Sequence, residues 1–167
     1  AGVLRDMLQN HLLQLLTLMT MEPPSAYSAR SLRDEKVKVL HAVRCPRIED
    51  CVLGQYRGYR KEKSVVRDSR TPTFAALKLY VDNWRWQGVP IYLRTGKKLA
   101  RRASEIFLQF KAVPHLLFPE NCDLTPNHIS ICIAPDEGVH MGIETKVPGT
   151  SMKSAPVDMV FHYGERF

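Results

Sequence analysis

Glycine is scarce in this chain, and its placement excludes more than its number does. The nine glycines of the 167 residues stand at positions 2, 54, 58, 88, 96, 138, 142, 149 and 164, and none are two apart. A dinucleotide-binding turn needs G-x-G-x-x-G between a strand and a helix, so that backbone can approach a pyrophosphate. That turn is absent, and so are a P-loop and a G-x-S-x-G nucleophile elbow. Cysteine is equally sparse: Cys45, Cys51, Cys122 and Cys132 make no CxxC pair and no zinc-knuckle spacing. They read as reduced, mostly buried thiols. His41 and Cys45 have the spacing of one helix face, but no second pair accompanies them, so no metal is expected. Long apolar runs are missing too. Residues 12–21, broken by Gln14 and two threonines, fall well short of the ~20 residues a membrane span requires. No basic, apolar, small-residue signal segment opens the chain. No membrane partner is expected, and the cytoplasm is the expected location.

What is present is ordinary globular composition, 44% hydrophobic and 25% charged, with 24 Lys and Arg against 17 Asp and Glu for a formal charge of +7. A chain of this length buries roughly 70% of its unfolded surface and needs no disulfide or metal staple. Two helical segments come first. Leu4, Leu8, Leu12, Leu15, Leu16 and Met19 recur at helical spacing, and Glu22-Pro23-Pro24 stops the run. Residues 32–43 place Val37, Leu40 and Val43 or Val39 toward a core, with Asp34 and Glu35 near the favourable end of the helix dipole. The period then changes from 3.6 to 2. "CVLGQY", "TFAALKLYVDNWRW", "VPIYLRTG", "SEIFLQFKAV", "HISICIAP", "VHMGIETKV" and "VDMVFHYG" read as strands separated by turn residues. Strand after strand with no helix between them implies an antiparallel meander. The expected class is α+β: a large, mostly antiparallel β-sheet with two N-terminal helices packed on one face.

Two basic stretches and one histidine carry the chemical interest. Residues 57–72, "RGYRKEKSVVRDSRTP", break the strand pattern and read as a mobile, solvated loop. With only Tyr56 and Tyr59 available for stacking, they make a poor nucleic-acid surface, and no nucleic-acid partner is expected. Residues 94–102, "RTGKKLARR", crowd five cations around Gly96, which permits a sharp turn at a strand end. Their density suits an anionic ligand, and a solvated hairpin tip accounts for the pattern equally well. His11 falls at the margin of the apolar arc. Periodicity alone favours a core or boundary histidine there, and a general base at the lip of a cleft is the alternative. Asp6, five residues earlier, lies about 140° away on a regular helix. It would share a ligand with His11 only from a loosened first turn or across the helix end.

Taken together, "RDMLQNHLLQLLTLMTMEPP", "LRDEKVKVL", "VLGQY", "TPTFAALKLYVDNWRWQGVPIYLRTGKKL", "IFLQF", "APDEG" and "KVPG" resemble, in order and over essentially the whole chain, the glucose-6-phosphate dehydrogenase family. The resemblance implies that residues 1–167 are part of the family's C-terminal α+β domain, with the N-terminal coenzyme domain absent. It implies oxidation of glucose 6-phosphate to its lactone with NADP, in the pentose phosphate pathway, the coenzyme being bound by the absent domain and the chain being inactive by itself. It places the catalytic base at His11, a sugar-binding carboxylate at Asp6, and phosphate-binding cations at Lys97 and Arg102. A homodimer or homotetramer formed through the sheet is implied as well, and a non-catalytic oligomerisation module is the competing reading. Ala134 stands where the family commonly has Gln, which removes one polar contact to substrate. Ala103, Cys132, His140 and Gly142 suit neither phosphate nor adenine, so no second, structural NADP is expected.

Overall fold

A computed structural model describes residues 2–115, 124–149 and 153–165. It divides into two units, Ala1–Leu99 and Ala100–Phe167. Both are α+β or all-β in the way the sequence implies, and every strand pairing is antiparallel. The expected sheet is realised as two hydrogen-bonded sheets, β1–β3 in the first unit and β4–β7 in the second.

The first unit opens with a helix wound in two ways. Leu4–Leu12 is π-helical and runs directly into the α-helix α1, Leu13–Thr20. The wider winding is visible in the bonds from Leu8 N–H to Val3 O (3.0 Å) and from Leu13 N–H to Leu8 O. It also changes which residues face inward. Val3 is buried, and Leu8 and Leu13 pack on the core, so the inward line here has a spacing of five. The sequence stripe through Leu4 leaves that residue exposed. In α1 the buried residues are Leu16, Thr17 and Thr20. The two threonine hydroxyls are satisfied by donating back along the helix, to Gln14 O (2.9 Å) and Leu16 O (2.7 Å).

Helix α2, Ala29–Ala42, begins three residues before the apolar pattern does, because the Ser28 side chain caps it by accepting from Ser31 N–H at 3.1 Å. Its buried residue is Val39, while Val37 and Leu40 remain substantially exposed. Beneath the helices lie β1 (Cys51–Gly54), β2 (Phe74–Leu79) and β3 (Ile91–Gly96), in that order. Strand β2 alternates strictly: Ala75, Leu77 and Leu79 point into the core and Phe74, Ala76 and Lys78 point away. Leu16, Leu77 and Leu79 form the core cluster, with Leu8, Leu13, Val43, Cys51, Ile91 and Leu93 around it. Burial of each such leucine contributes about 1.5–3 kcal/mol.

The second unit is a meander of β4 (Ser104–Gln109), β5 (His128–Ala134), β6 (Gly138–Lys146) and β7 (Ser154–His162). Its buried positions, among the described residues, are two glycines. At Gly138 a Cβ would meet the Phe161 carbonyl at 2.5 Å, and at Gly142 the His128 ring occupies the space a Cβ would need. That ring in turn stacks on Phe107 at 5.1 Å. No apolar side chain described in this unit is buried, and Phe107, Val157, Met159, Val160 and Phe161 are all exposed. The described cysteines depart from the expectation of burial: Cys45 is exposed, and Cys51 and Cys132 are half-buried. Cys122 lies outside the described residues.

Candidate functional site

The π-helical winding decides where Asp6 and His11 stand. On a regular helix five residues turn the side chain well away, whereas the wider i→i+5 winding brings it back to the same face. Asp6 and His11 therefore share one face of the segment, and both are exposed. Core burial of His11 is thus corrected: Val3, Leu8 and Leu13 take the inward line, which leaves the imidazole outside. The separation of Asp6 from His11 expected on a regular helix is corrected by the same winding.

Two anchors orient this helix on the sheet. At its beginning Gly2 lies against Thr71, whose Cγ2 would stand 3.1 Å from an added Cβ. At its end the Trp86 indole N–H donates to Thr20 O at 3.0 Å, and Arg85 grips Glu22 with two bonds of 2.7 and 2.9 Å. Hydrogen bonding from Arg85 is the main cause holding the Glu22 carboxyl below its usual range. The π-helical segment also packs against β3. It starts at the sheet end where β1, β2 and β3 meet at the Gly54, Phe74 and Gly96 register, and it runs antiparallel to β3.

That same sheet end holds Lys97. Its backbone N–H donates to Thr73 O at 2.9 Å, while Thr73 N–H donates to Gly54 O at 2.8 Å and Tyr56 N–H to Thr73 Oγ1 at 3.0 Å. Lys97 therefore leaves a well-bonded corner, with its ammonium exposed and without a hydrogen-bond or ion-pair partner among the described residues. The turn differs from its expected form. Lys98, not Gly96, adopts the left-handed backbone, with φ of 54°. Gly96 is needed for close approach instead, since a Cβ there would meet Phe74 Cδ2 at 2.8 Å.

The loop 57–72 is pinned as well. Gln55 Nε2 donates to Ser69 O (2.8 Å) and Thr71 O (3.0 Å), and Arg60 Nε donates to Gln55 Oε1 at 3.3 Å. Glu62 pairs with Lys98 at 2.9 Å and accepts from the Tyr56 hydroxyl at 3.2 Å. Sequence reasoning missed this trio, because no spacing links a glutamate in one basic stretch to a lysine 36 residues on. Hydrogen bonding from Lys98, then its charge, lowers the Glu62 carboxyl, and desolvation, then the charge of Glu62, raises the Tyr56 phenol.

The family model for "Glucose-6-phosphate dehydrogenase, C-terminal domain" matches residues 1–167. The chain belongs to the glucose-6-phosphate dehydrogenase family. A glucose-6-phosphate 1-dehydrogenase of Chlamydia muridarum is 45% identical over 181 residues, covering 100% of this chain and 36% of the relative. A solved glucose-6-phosphate dehydrogenase in complex with its substrate glucose-6-phosphate superposes with a TM-score of 0.90 at 39% identity, covering 99% of this chain and 35% of that one. The enzyme of Mycobacterium avium gives 0.88 at 39% identity, covering 97% and 35%. The chain spans about a third of the length of the relatives it matches.

In this glucose-6-phosphate dehydrogenase-family chain the first unit carries Asp6 and His11, both exposed on a helix that packs against β3, and Lys97 directly follows the end of β3. Arg102 belongs to the second unit, exposed, two residues before β4. Ala134 ends β5, exposed. His140 meets the edge of His162 at 5.7 Å. Among the described residues no three His, Cys, Asp or Glu side chains gather as a metal would require. Nor is any helix among the described residues long and apolar enough to cross a membrane.

Proposed function

We propose that this chain is the substrate-gripping portion of an enzyme that oxidises glucose 6-phosphate at C1, forming part of the C-terminal α+β domain, with the coenzyme domain lying outside the 167 residues. His11 is the general base. Its imidazole takes the proton of the C1 hydroxyl, which drives the electron pair toward C1 as hydride leaves. Asp6 accepts hydrogen bonds from sugar hydroxyls, and Lys97 and Arg102 meet the phosphate as cations. The observation that carries this reading is the π-helical winding. It sets Asp6 and His11 on one exposed face of a helix packed against the strand that delivers Lys97.

The hydride acceptor of the family reaction, NADP, does not fit this chain. The described glycines with positive φ are Gly58, Gly88 and Gly149; Gly58 opens only the three-residue 3-10 helix Tyr59–Lys61, and none of them belongs to a G-x-G-x-x-G turn. Helix α2, capped by Ser28, follows another helix. The hydride step therefore belongs to residues outside the chain, and the chain alone is inactive. No second, structural NADP binds here, since Ala103, Cys132, His140 and Gly142 offer a phosphate no fixed cation and the His128 ring fills the space at Gly142. The protein acts in the cytoplasm, in the pentose phosphate pathway, without metal, nucleic acid or membrane partners.

The assay is glucose 6-phosphate-dependent NADPH formation by the chain alone, and then with a separately supplied coenzyme domain. Activity of the isolated chain would sink the claim that the coenzyme is held elsewhere. In the complemented enzyme His11→Asn lowers kcat about 10²–10⁴-fold, and an unchanged rate would show that another group is the base.

The second unit favours an additional role in assembly. A four-stranded sheet with no buried apolar side chain among its described residues, and with exposed Val157, Met159, Val160 and Phe161 on β7, gains stability only from something that covers it. Homodimer or homotetramer contact through this sheet supplies the cover. Sedimentation decides: a strict monomer at high concentration counts against it.

A further inference from the structure

Glu62 is surrounded in sequence by cations. Arg60, Lys61 and Lys63, with Val65 and Arg67, line the same cavity of about 580 Å³ that Glu62 faces. Its carboxylate nevertheless goes to Lys98, 36 residues away, at 2.9 Å, and takes a second hydrogen bond from the Tyr56 hydroxyl at 3.2 Å. The Lys98 ammonium also stands 4.2 Å from the centroid of the Tyr56 ring. Tyr56 is itself fixed, by its N–H bond to Thr73 Oγ1 and by the edge of the Tyr59 ring at 5.5 Å. Two side chains, Glu62 and Tyr56, thus converge on one lysine, and that lysine holds a backbone conformation uncommon outside glycine.

We propose that Tyr56, Glu62 and Lys98 form a positioning clasp that fixes the turn at Lys98 and so aims the adjacent Lys97 ammonium at an anionic, phosphate-bearing ligand. An exposed ion pair contributes little to global stability, so the consequence of this one lies in geometry. Among the described residues Lys97 is held only by its backbone bond to Thr73 O, and its long side chain starts wherever the turn places its Cα. The clasp also occupies a carboxylate of the loop: held by Lys98 and Tyr56, Glu62 does not pair with Lys97. The proposal rests on the reading of Lys97 as a phosphate ligand.

The test is the KM for glucose 6-phosphate in the complete enzyme, and its strength is a sign. Glu62→Gln removes a negative charge near the loop, so a purely electrostatic effect tightens anion binding and lowers KM. Loss of the clasp instead raises KM about threefold, with the effect on KM rather than kcat. The charge swap, Glu62→Lys with Lys98→Glu, restores the pairing and recovers most of the loss. Far-UV circular dichroism of each variant verifies folding. Lys97→Ala serves as the reference and raises KM about tenfold or more. If Lys97→Ala does so while Glu62→Gln leaves KM unchanged or lower, the clasp is overturned and the phosphate site stands. If Lys97→Ala leaves KM unchanged, the phosphate-site reading itself fails, and the clasp with it.

Discussion

Gly96→Ala is the substitution for which the structure gives the sharpest expectation. Gly96 ends β3, paired across the sheet with Phe74. Its φ lies outside the left-handed region, so the conformational freedom of glycine is not what the site uses. By the ordinary rule, alanine there stabilises by about 0.4–1 kcal/mol, because the unfolded chain loses freedom. The neighbours reverse that expectation. A new Cβ would stand 2.8 Å from Phe74 Cδ2, 3.4 Å from Phe74 Cβ and 3.3 Å from Leu99 Cδ2. The ring can turn, but the Phe74 Cβ cannot recede unless β2 moves, and β2 carries Leu77 and Leu79 of the core. Overpacking of this kind costs about 1–3 kcal/mol, so a net loss of about 1–2 kcal/mol remains after the entropic gain. Urea unfolding measures it as a lower midpoint at unchanged slope. In the double variant Gly96→Ala with Phe74→Leu, part of the loss is recovered, because the two sites share one contact. A Gly96→Ala protein more stable than its parent would refute the reasoning, since it would mean that Phe74 yields freely.

Two further outcomes follow from the anchors. Trp86→Phe removes the bond to Thr20 O and lowers unfolding free energy by about 1–2 kcal/mol; an unchanged urea midpoint would show that water replaces the indole without loss. Glu22, Glu62 and Asp82 are each held below their ordinary values, 4.5 for the glutamates and 3.8 for the aspartate, chiefly by hydrogen bonds from Arg85, Lys98 and Arg44. A depressed folded value means that each contribution is complete above the ordinary value and is lost as pH falls through the folded one. The midpoint difference between the parent and Glu22→Gln, Glu62→Gln, Asp82→Asn therefore holds above about pH 5 and shrinks as pH falls through the lowered folded values; a difference that does not shrink on acidification would show that these pairs are not its source.

Much of the fold was legible because alternation is a local property. All seven segments contain strands, six of them with ends moved by no more than four residues, while the second stops at Leu79 and its read extension to Trp86 enters a turn; the Glu22-Pro23-Pro24 stop falls just past Thr20, where α1 ends. The helix interiors were read less well. Val39 rather than Val37 or Leu40 is buried, and α2 starts at Ala29 because the Ser28 hydroxyl supplies a cap that precedes the apolar pattern. The site was legible only as candidates. Asp6, His11, Lys97 and Arg102 came from motif resemblance, and helical periodicity argued against His11 as an exposed base and against its pairing with Asp6. That argument assumed 3.6 residues per turn, and the chain winds more widely from Leu4 to Leu12.

The sequence by itself determined the class of the fold, the antiparallel order of its strands, the lack of a dinucleotide cradle and the family, because composition, period and motif order are written along the chain. Tertiary structure alone decided what is written across it. It set the π-helical winding that aligns Asp6 with His11, and the sheet corner from which Lys97 departs. It gave Gly96 a neighbour, Phe74, that leaves no room for a side chain. It also chose Lys98 among many cations as the partner of Glu62, since that choice depends on which backbones meet at Thr73, and no local pattern encodes a meeting of segments so far apart.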